Sequence, residues 1–134
     1  MNQLDYAIEE FVERVPGVGH AMVVSTDGLA MAASKDVSRV QTEHLAAVAA
    51  GLFSLTRGAA RCFNAEPVRQ VIVEMGAGYL FVTATSQSAC LAVVTGLESD
   101  LGEVGYEMSI LGKRLAGILT PALRSESQAA LLQR

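Results

Sequence analysis

Side chains that could carry out acid–base, nucleophilic or metal chemistry are few in this sequence and widely spaced. Two histidines, His20 and His44, have no cysteine, aspartate or second histidine at the spacing of a metal site. Two cysteines, Cys62 and Cys90, form no CxxC pair and stand inside apolar stretches, so we expect buried, reduced thiols. The sequence therefore predicts no active site, no metal and no cofactor.

The glycines and acidic residues also lack the spacing of a nucleotide site or of a catalytic carboxylate pair. No segment matches GxxxxGK[ST], and none places GxGxxG between a strand and a helix. The glycine-rich segment 76–78 joins two predicted strands, so we interpret it as a hairpin turn. Glu98, Asp100 and Glu103 cluster where the last helix is predicted to begin, a position where carboxylates complement the helix dipole. We interpret them as a helix cap.

Three arginines, Arg57, Arg61 and Arg69, are the remaining candidates for a functional role. Arg57 and Arg61 lie four residues apart, about one turn of the second predicted helix. Two interpretations stay open for this pair: a solvated helix face, and an electrostatic contact with an acidic partner. A catalytic arginine acting on a partner's nucleotide is the less favoured third interpretation.

Composition places these residues in a small protein with apolar surface to cover. The 134 residues include 10 Lys and Arg against 14 Asp and Glu, a net charge of −4 without a basic run, which argues against nucleic-acid binding. Hydrophobic residues make up 51% and charged residues 18%, below the usual share of about 25%. No apolar run reaches the roughly 20 residues of a membrane span, and the acidic N-terminal segment does not resemble a signal peptide. We therefore expect a cytoplasmic protein without direct membrane binding.

Hydrophobic periodicity predicts a single α+β domain over residues 1–121 and a polar, frayed tail over 122–134. The element order is α-β-β-α-β-β-β-α. Amphipathic stripes predict helices over about 4–15, 38–62 and 99–120. The predicted strands cover residues 18–25, 29–34, 67–75, 79–85 and 89–95. Short turns between them imply antiparallel neighbours, and strands that are apolar on both sides imply helices on both faces of the sheet.

The second predicted helix carries two candidate faces. One face, which we expect to cover the sheet, holds Leu45, Val48, Leu52, Leu55 and Ala59. The adjoining face, which we name the small-residue ridge, holds Ala47, Gly51, Ser54 and Gly58 at spacings of four, three and four. Each of its two glycines costs roughly 1 kcal/mol relative to alanine, which the close approach of another backbone would explain. We predict a subunit contact there, and an internal neighbour is the alternative.

Several segments, taken together and in order, resemble the Roadblock/dynein-light-chain family. The first is the stretch 15–34, with VVSTDGL at residues 23–29 as its predicted hairpin. More narrowly, LAAVA (45–49), GAARCF (58–63), VEM (73–75) and YEM (106–108) resemble the bacterial Roadblock proteins of conservon operons. Those operons also encode a sensor-kinase-like membrane protein and a small Ras-like GTPase. The resemblance covers about residues 3 to 120.

The resemblance implies a five-stranded antiparallel sheet with the second helix on one face and the two terminal helices on the other. It also implies a homodimer, in which the second helices pack together and the sheets join through the third strand, about Pro67 to Met75. The implied dimer interface consists of the small-residue ridge together with Val71 and Val73.

The resemblance further implies a non-catalytic regulator whose paired second helices form a docking platform for a small Ras-like GTPase. Glu43, Ala50, Arg57 and Arg61 are the candidate contacts with that partner. A sensor-kinase-like membrane protein is an implied further partner, and membrane recruitment would come only through partners. Two other functions stay open: a purely structural subunit of a larger assembly, and a small-ligand sensor of the PAS or GAF type, for which aromatic and buried polar residues are scarce.

Overall fold

The structure is a computed structural model that describes residues 2–86 and 88–119 together with Leu131. Its eight elements follow in the predicted order. They are α1 (Gln3–Arg14), β1 (Val18–Ser25), β2 (Ala30–Ala33), α2 (Arg39–Cys62), β3 (Gln70–Met75), β4 (Gly78–Ser86), β5 (Ala89–Gly96) and α3 (Leu101–Ile118). The end of the predicted domain at residue 121 and the predicted tail over 122–134 lie outside the described residues, Leu131 excepted.

As predicted, the five strands form one antiparallel sheet, and their order in it is β2-β1-β5-β4-β3. A tight turn joins β1 to β2, where Gly28 has a φ of +87°, a conformation that favours glycine. The predicted start of the third strand at Pro67 is wrong, because β3 begins at Gln70. Proline has no backbone N–H to donate to a neighbouring strand, and residues 65–69 form a loop instead.

Helices cover both faces of the sheet, which confirms the predicted sandwich. On one face α1 and α3 bury a core that includes Phe11, Phe81 and Met108. On the other face α2 covers a second core that includes Met22 and Val82. Because β1, β4 and β5 contribute to both cores, they are largely buried, as their continuous apolar sequences predict.

The residues of α2 that meet the sheet agree only in part with those predicted. Leu45 and Leu52 are half-buried and pack against this core, but Val48 and Ala59 are exposed and Leu55 is 76% exposed. The helix instead buries Thr42, Ala46, Ala49 and Ala60. The reason is steric: the sheet presents bulky side chains on this face, so alanines at the contact let the helix backbone lie close to it. The larger apolar residues of α2 lie at the margin of this contact or face away from it.

Candidate interaction surface

The helix that carries the candidate surface begins at Ser38-x-x-Gln41, a sequence spacing typical of a capping box, and the structure forms that box. The Ser38 hydroxyl accepts a hydrogen bond from the Gln41 backbone N–H at 3.1 Å, and the Gln41 side chain accepts one from the Ser38 N–H at 3.2 Å. From there α2 runs for 24 residues across the sheet, packing against β1, β2, β5 and β3. One side of this long helix is held against the core, and its opposite side faces outward.

The small-residue ridge lies on the outward side of α2. Ala47, Gly51 and Ser54 are exposed and Gly58 is half-buried. A Cβ built on Gly51 or Gly58 meets no described atom within 4 Å outside the helix's own nearby backbone. The alternative of an internal neighbour is therefore wrong for the described residues. No contact among the described residues requires these two glycines, and each costs the helix about 1 kcal/mol relative to alanine.

Large apolar side chains flank the ridge and enlarge the exposed apolar surface. Val40 near the start of α2 is 78% exposed, and Leu55 at the third quarter of the helix is 76% exposed. Val48 also faces outward, and Phe63, the residue after the helix, is 79% exposed. Covering one such side chain fully gains about 1.5–3 kcal/mol, so this row favours association with another surface.

The β3 strand forms one edge of the sheet beside this surface. Val71 and Val73, predicted at a dimer interface, are half-buried and pack against the core beneath α2. Ile72 points to the opposite face of the sheet, where it is 49% exposed. No described strand pairs with the outer side of β3, so its outward backbone groups face solvent.

The four residues predicted to contact a GTPase share one side of α2, since they follow at intervals of seven, seven and four. Glu43 is exposed and binds Arg39 at 3.1 Å, one helical turn away. Ala50 is half-buried and faces Gly28 in the β1–β2 turn. Arg57 and Arg61 are exposed and form no ion pair with any described residue, which leaves both charges available to a partner.

An open cleft of about 310 Å³ lies beside Arg57, between α2 and one end of the sheet. Ala50, Phe53 and Ser54 of α2 form one wall, and the loop before β3 forms another. The floor includes Cys90 of β5. The cleft is lined mainly by apolar atoms, with the Arg57 and Glu66 side chains as its charged groups.

The cysteines and the other side chains that could act as nucleophiles or metal ligands do not lie together in the structure. Cys90 is buried as expected, and desolvation raises the pKa of its thiol to about 11, so the unreactive thiol form persists at neutral pH. The expectation that Cys62 is buried is wrong: it ends α2 one turn beyond Gly58, on the outward side. Within the described residues no three His, Cys, Asp or Glu side chains are grouped as metal ligands.

Of the three acidic residues predicted to cap α3, Asp100 does so, and Glu103 lies in the first turn of the helix. An Asp100 carboxylate oxygen accepts a hydrogen bond from the Glu103 backbone N–H at 3.0 Å, which caps the helix.

In the part of the chain that the structure describes, each helix is too short or too polar for a membrane span.

A model of the Roadblock/LC7 domain matches residues 4–95, more than half of the chain. The chain belongs to the Roadblock/LC7 family. The resemblance noted in the sequence is thereby confirmed at the level of the family. A search of the curated proteins finds no match.

Solved structures of this family have the same fold. A Roadblock/LC7 domain from Streptomyces avermitilis is 37% identical, with a TM-score of 0.82 over 87% of this chain and 98% of that one. A second Roadblock/LC7 domain structure from that organism is 39% identical, with a TM-score of 0.70 over 85% and 99% of the two chains. MglB of Myxococcus xanthus is 16% identical, with a TM-score of 0.81 over 88% and 95%, a likeness of fold.

The residue pattern did not predict that Val40 and Phe63 are exposed beside the ridge, or that Ile72 is exposed on the other face of the sheet. The prediction that Leu55 covers the sheet is wrong. One signal was available, because the alanines at 46, 49 and 60 form an i, i+3, i+14 pattern that lies opposite the ridge. The prediction instead placed mainly the large apolar residues of the helix on its buried face.

Proposed function

We propose that this chain is a non-catalytic homodimeric adaptor that regulates a small Ras-like GTPase in a bacterial signalling complex. The outward side of α2 carries the proposal: a row of exposed apolar and small residues runs along a 24-residue helix. Another copy of the chain would cover the ridge and the flanking Val40 and Leu55. The adjoining β3 edge, with Val71 and Val73 behind it, would extend the same contact.

The GTPase enters the proposal through the segments that resemble conservon-type Roadblock proteins, and Arg57 and Arg61 support it. Both are cations without an ion pair among the described residues, on the side of α2 that borders the cleft, in a protein whose net charge is −4. An acidic surface with an apolar contact residue would complement this combination of charge and cleft. The sensor-kinase-like partner and recruitment to the membrane stay predictions of the resemblance.

Calorimetric titration with a small Ras-like GTPase encoded beside this chain, loaded with GDP or a GTP analogue, tests the proposal. We expect binding that favours one nucleotide state. Arg57→Glu should weaken it about tenfold or more, while the dimer mass stays unchanged, since one charge pair is reversed at the contact. Lys113→Glu on α3 makes the same charge change on the other face of the sheet and should leave binding unaltered.

A dimer that binds neither nucleotide state would contradict the regulatory role and favour the structural-subunit alternative. Equal losses for Arg57→Glu and Lys113→Glu would instead show a long-range charge effect, and would remove Arg57 from the contact.

A further inference from the structure

The open edge of β3 has a backbone pattern that restricts how it can pair. Met75 and Gly78 flank the two-residue turn between β3 and β4 and face each other in the register. In such a hairpin the flanking pair is hydrogen-bonded, and hydrogen-bonded pairs then alternate along the ladder. Val73 and Val71 therefore bond to β4, and the backbone groups of Gln70, Ile72 and Glu74 point outward.

Pairing with a second copy through a two-fold axis limits the register further. In an antiparallel pair, directly opposite residues point to the same face of the sheet. The two-fold axis must then lie between a residue and the same residue of the second copy, so that one residue of β3 faces its own copy. The strand spans the six residues Gln70–Met75. At most five of them can pair with the second copy, and they do so only when Ile72 or Val73 is the self-facing residue at the centre.

The two registers differ in the hydrogen bonds they form. With Ile72 at the centre, Ile72 faces its own copy and Gln70 faces Glu74 of the second copy. All three outward-pointing residues then find partners, for about six backbone hydrogen bonds. With Val73 at the centre, Gln70 lies beyond the paired segment, and about four hydrogen bonds remain.

The side chains favour the same register. Centring on Ile72 places two half-exposed isoleucines against each other and brings the Gln70 amide opposite the Glu74 carboxylate. Within the protomer the Gln70 amide donates one hydrogen bond to the Thr83 hydroxyl at 3.2 Å, and its second N–H remains for the carboxylate. Centring on Val73 instead places each Ile72 opposite a Glu74 carboxylate, an apolar group against a charge. On the α2 face, the Ile72-centred register sets Val71 against Val73.

In the proposed homodimer, whose sheets join through β3, we propose that the two β3 strands pair in the register centred on Ile72. This inference rests on the proposed homodimer and specifies which residues meet in it. Ile72 is the self-facing residue, and Gln70 and Glu74 form the flanking cross-subunit pair on either side of the axis.

Disulfide cross-linking in a Cys62→Ser background tests this register, because Cys90 is buried. Across a hydrogen-bonded pair the Cα atoms lie about 5.5 Å apart, a distance that a disulfide can span. Ile72→Cys alone should therefore cross-link on oxidation. Gln70→Cys alone and Glu74→Cys alone should not, since like residues lie about 15 Å apart. A mixture of those two variants, one carrying a mass tag, should yield only the mixed dimer.

Light scattering of each reduced variant separates failure of the register from failure of the dimer. Monomeric reduced protein would overturn the homodimer and the register together. A dimer that cross-links through Val73→Cys, with no product from Ile72→Cys, would overturn the register and leave the homodimer standing. A dimer without a cross-link at any β3 position would show that the β3 edge is not the contact.

Ile72→Lys gives a second readout that does not depend on disulfide geometry. It places two ammonium groups against each other at the axis, so we expect dimerisation to weaken at least tenfold. The matched control is Met75→Lys, outside the paired segment and similarly exposed, which should leave dimerisation within about twofold. The reverse order of effects would contradict the Ile72-centred register.

Discussion

Replacement of Gly51 by leucine separates the stability of one protomer from the stability of the dimer. Within the protomer the described surroundings of Gly51 are open, so a leucine fits without a clash. It also restores helix propensity, which is worth about 0.8 kcal/mol in favour of the folded protomer. In the proposed dimer the same side chain occupies the space that the second α2 backbone needs. Overpacking costs about 1–3 kcal/mol a site, and a symmetric dimer contains two copies.

The expected result is a more stable protomer and a weaker dimer. Gly51→Leu should raise the dimer dissociation constant by about 30-fold or more, since a cost of about 2 kcal/mol already has that effect. Light scattering over a concentration series measures this change. Urea unfolding in the Ile72→Lys background, where dimerisation is weak, measures the protomer and should show the gain in unfolding free energy.

Gly117→Leu is the matched control, because Gly117 also lies on a helix with open surroundings, but on the opposite face of the sheet. It should change stability slightly and leave dimerisation unaltered. An undiminished dimer in Gly51→Leu would refute the assignment of the ridge to a subunit contact. A lower unfolding free energy of the protomer in the same variant would contradict the finding that Gly51 has open space around it.

Two further predictions concern the sheet. Gly78→Ala should lower the unfolding free energy measured in urea by about 2 kcal/mol or more, because its Cβ would lie 2.1 Å from the Thr95 carbonyl oxygen. Gly76 lies in open space, so Gly76→Ala should be near neutral. Equal effects of the two substitutions would contradict the contact between Gly78 and Thr95. The Cys90 thiol, with its pKa raised to about 11 from 9.0, stabilises the fold fully below pH 9, and that stability falls by about 1.4 kcal/mol per pH unit towards pH 11. Cys90→Ala should remove this fall in the unfolding free energy, as measured by urea titrations across pH. In the folded protein a thiol reagent at pH 8 should modify Cys62 alone. Rapid modification of Cys90 would show that it is not buried.

Local signals in the sequence predicted the fold well. The cap at Ser38, the turn at Gly28 and the alternation of strands and short turns are set by residues close together in the chain. Each of these features depends on local backbone preferences, so the residue pattern is sufficient to place them. Pro67 shows the limit: its apolar neighbours extend the strand pattern, but it has no N–H for the ladder.

The candidate surface was predicted in part. The small-residue ridge was found because glycine at helical spacing has a cost that something must offset. The orientation of α2 was missed because it depends on the bulk of the side chains on β1, β4 and β5, which the helix's own periodicity does not contain. Leu55, predicted to cover the sheet, is therefore exposed, while Ala46 is among the residues buried there.

The residue pattern did not predict the exposure of Ile72 either, and only the family resemblance implied that the third strand lies at an edge of the sheet. That exposure depends on which strand lies at the edge of the sheet, and the strand order β2-β1-β5-β4-β3 is not determined by the turns alone. The sequence shows that β3, β4 and β5 follow one another as a meander. It does not show that β1 joins β5 and leaves the outer side of β3 open.

Light scattering of the unmodified protein, across a concentration series and at two salt concentrations, tests the central claim most directly. A homodimer held by the apolar side of α2 and the edge of β3 predicts a mass of twice the chain's 14.1 kDa, with little dependence on salt. A monomer at every concentration would contradict the account, because the ridge, Leu55 and the β3 edge would then remain exposed.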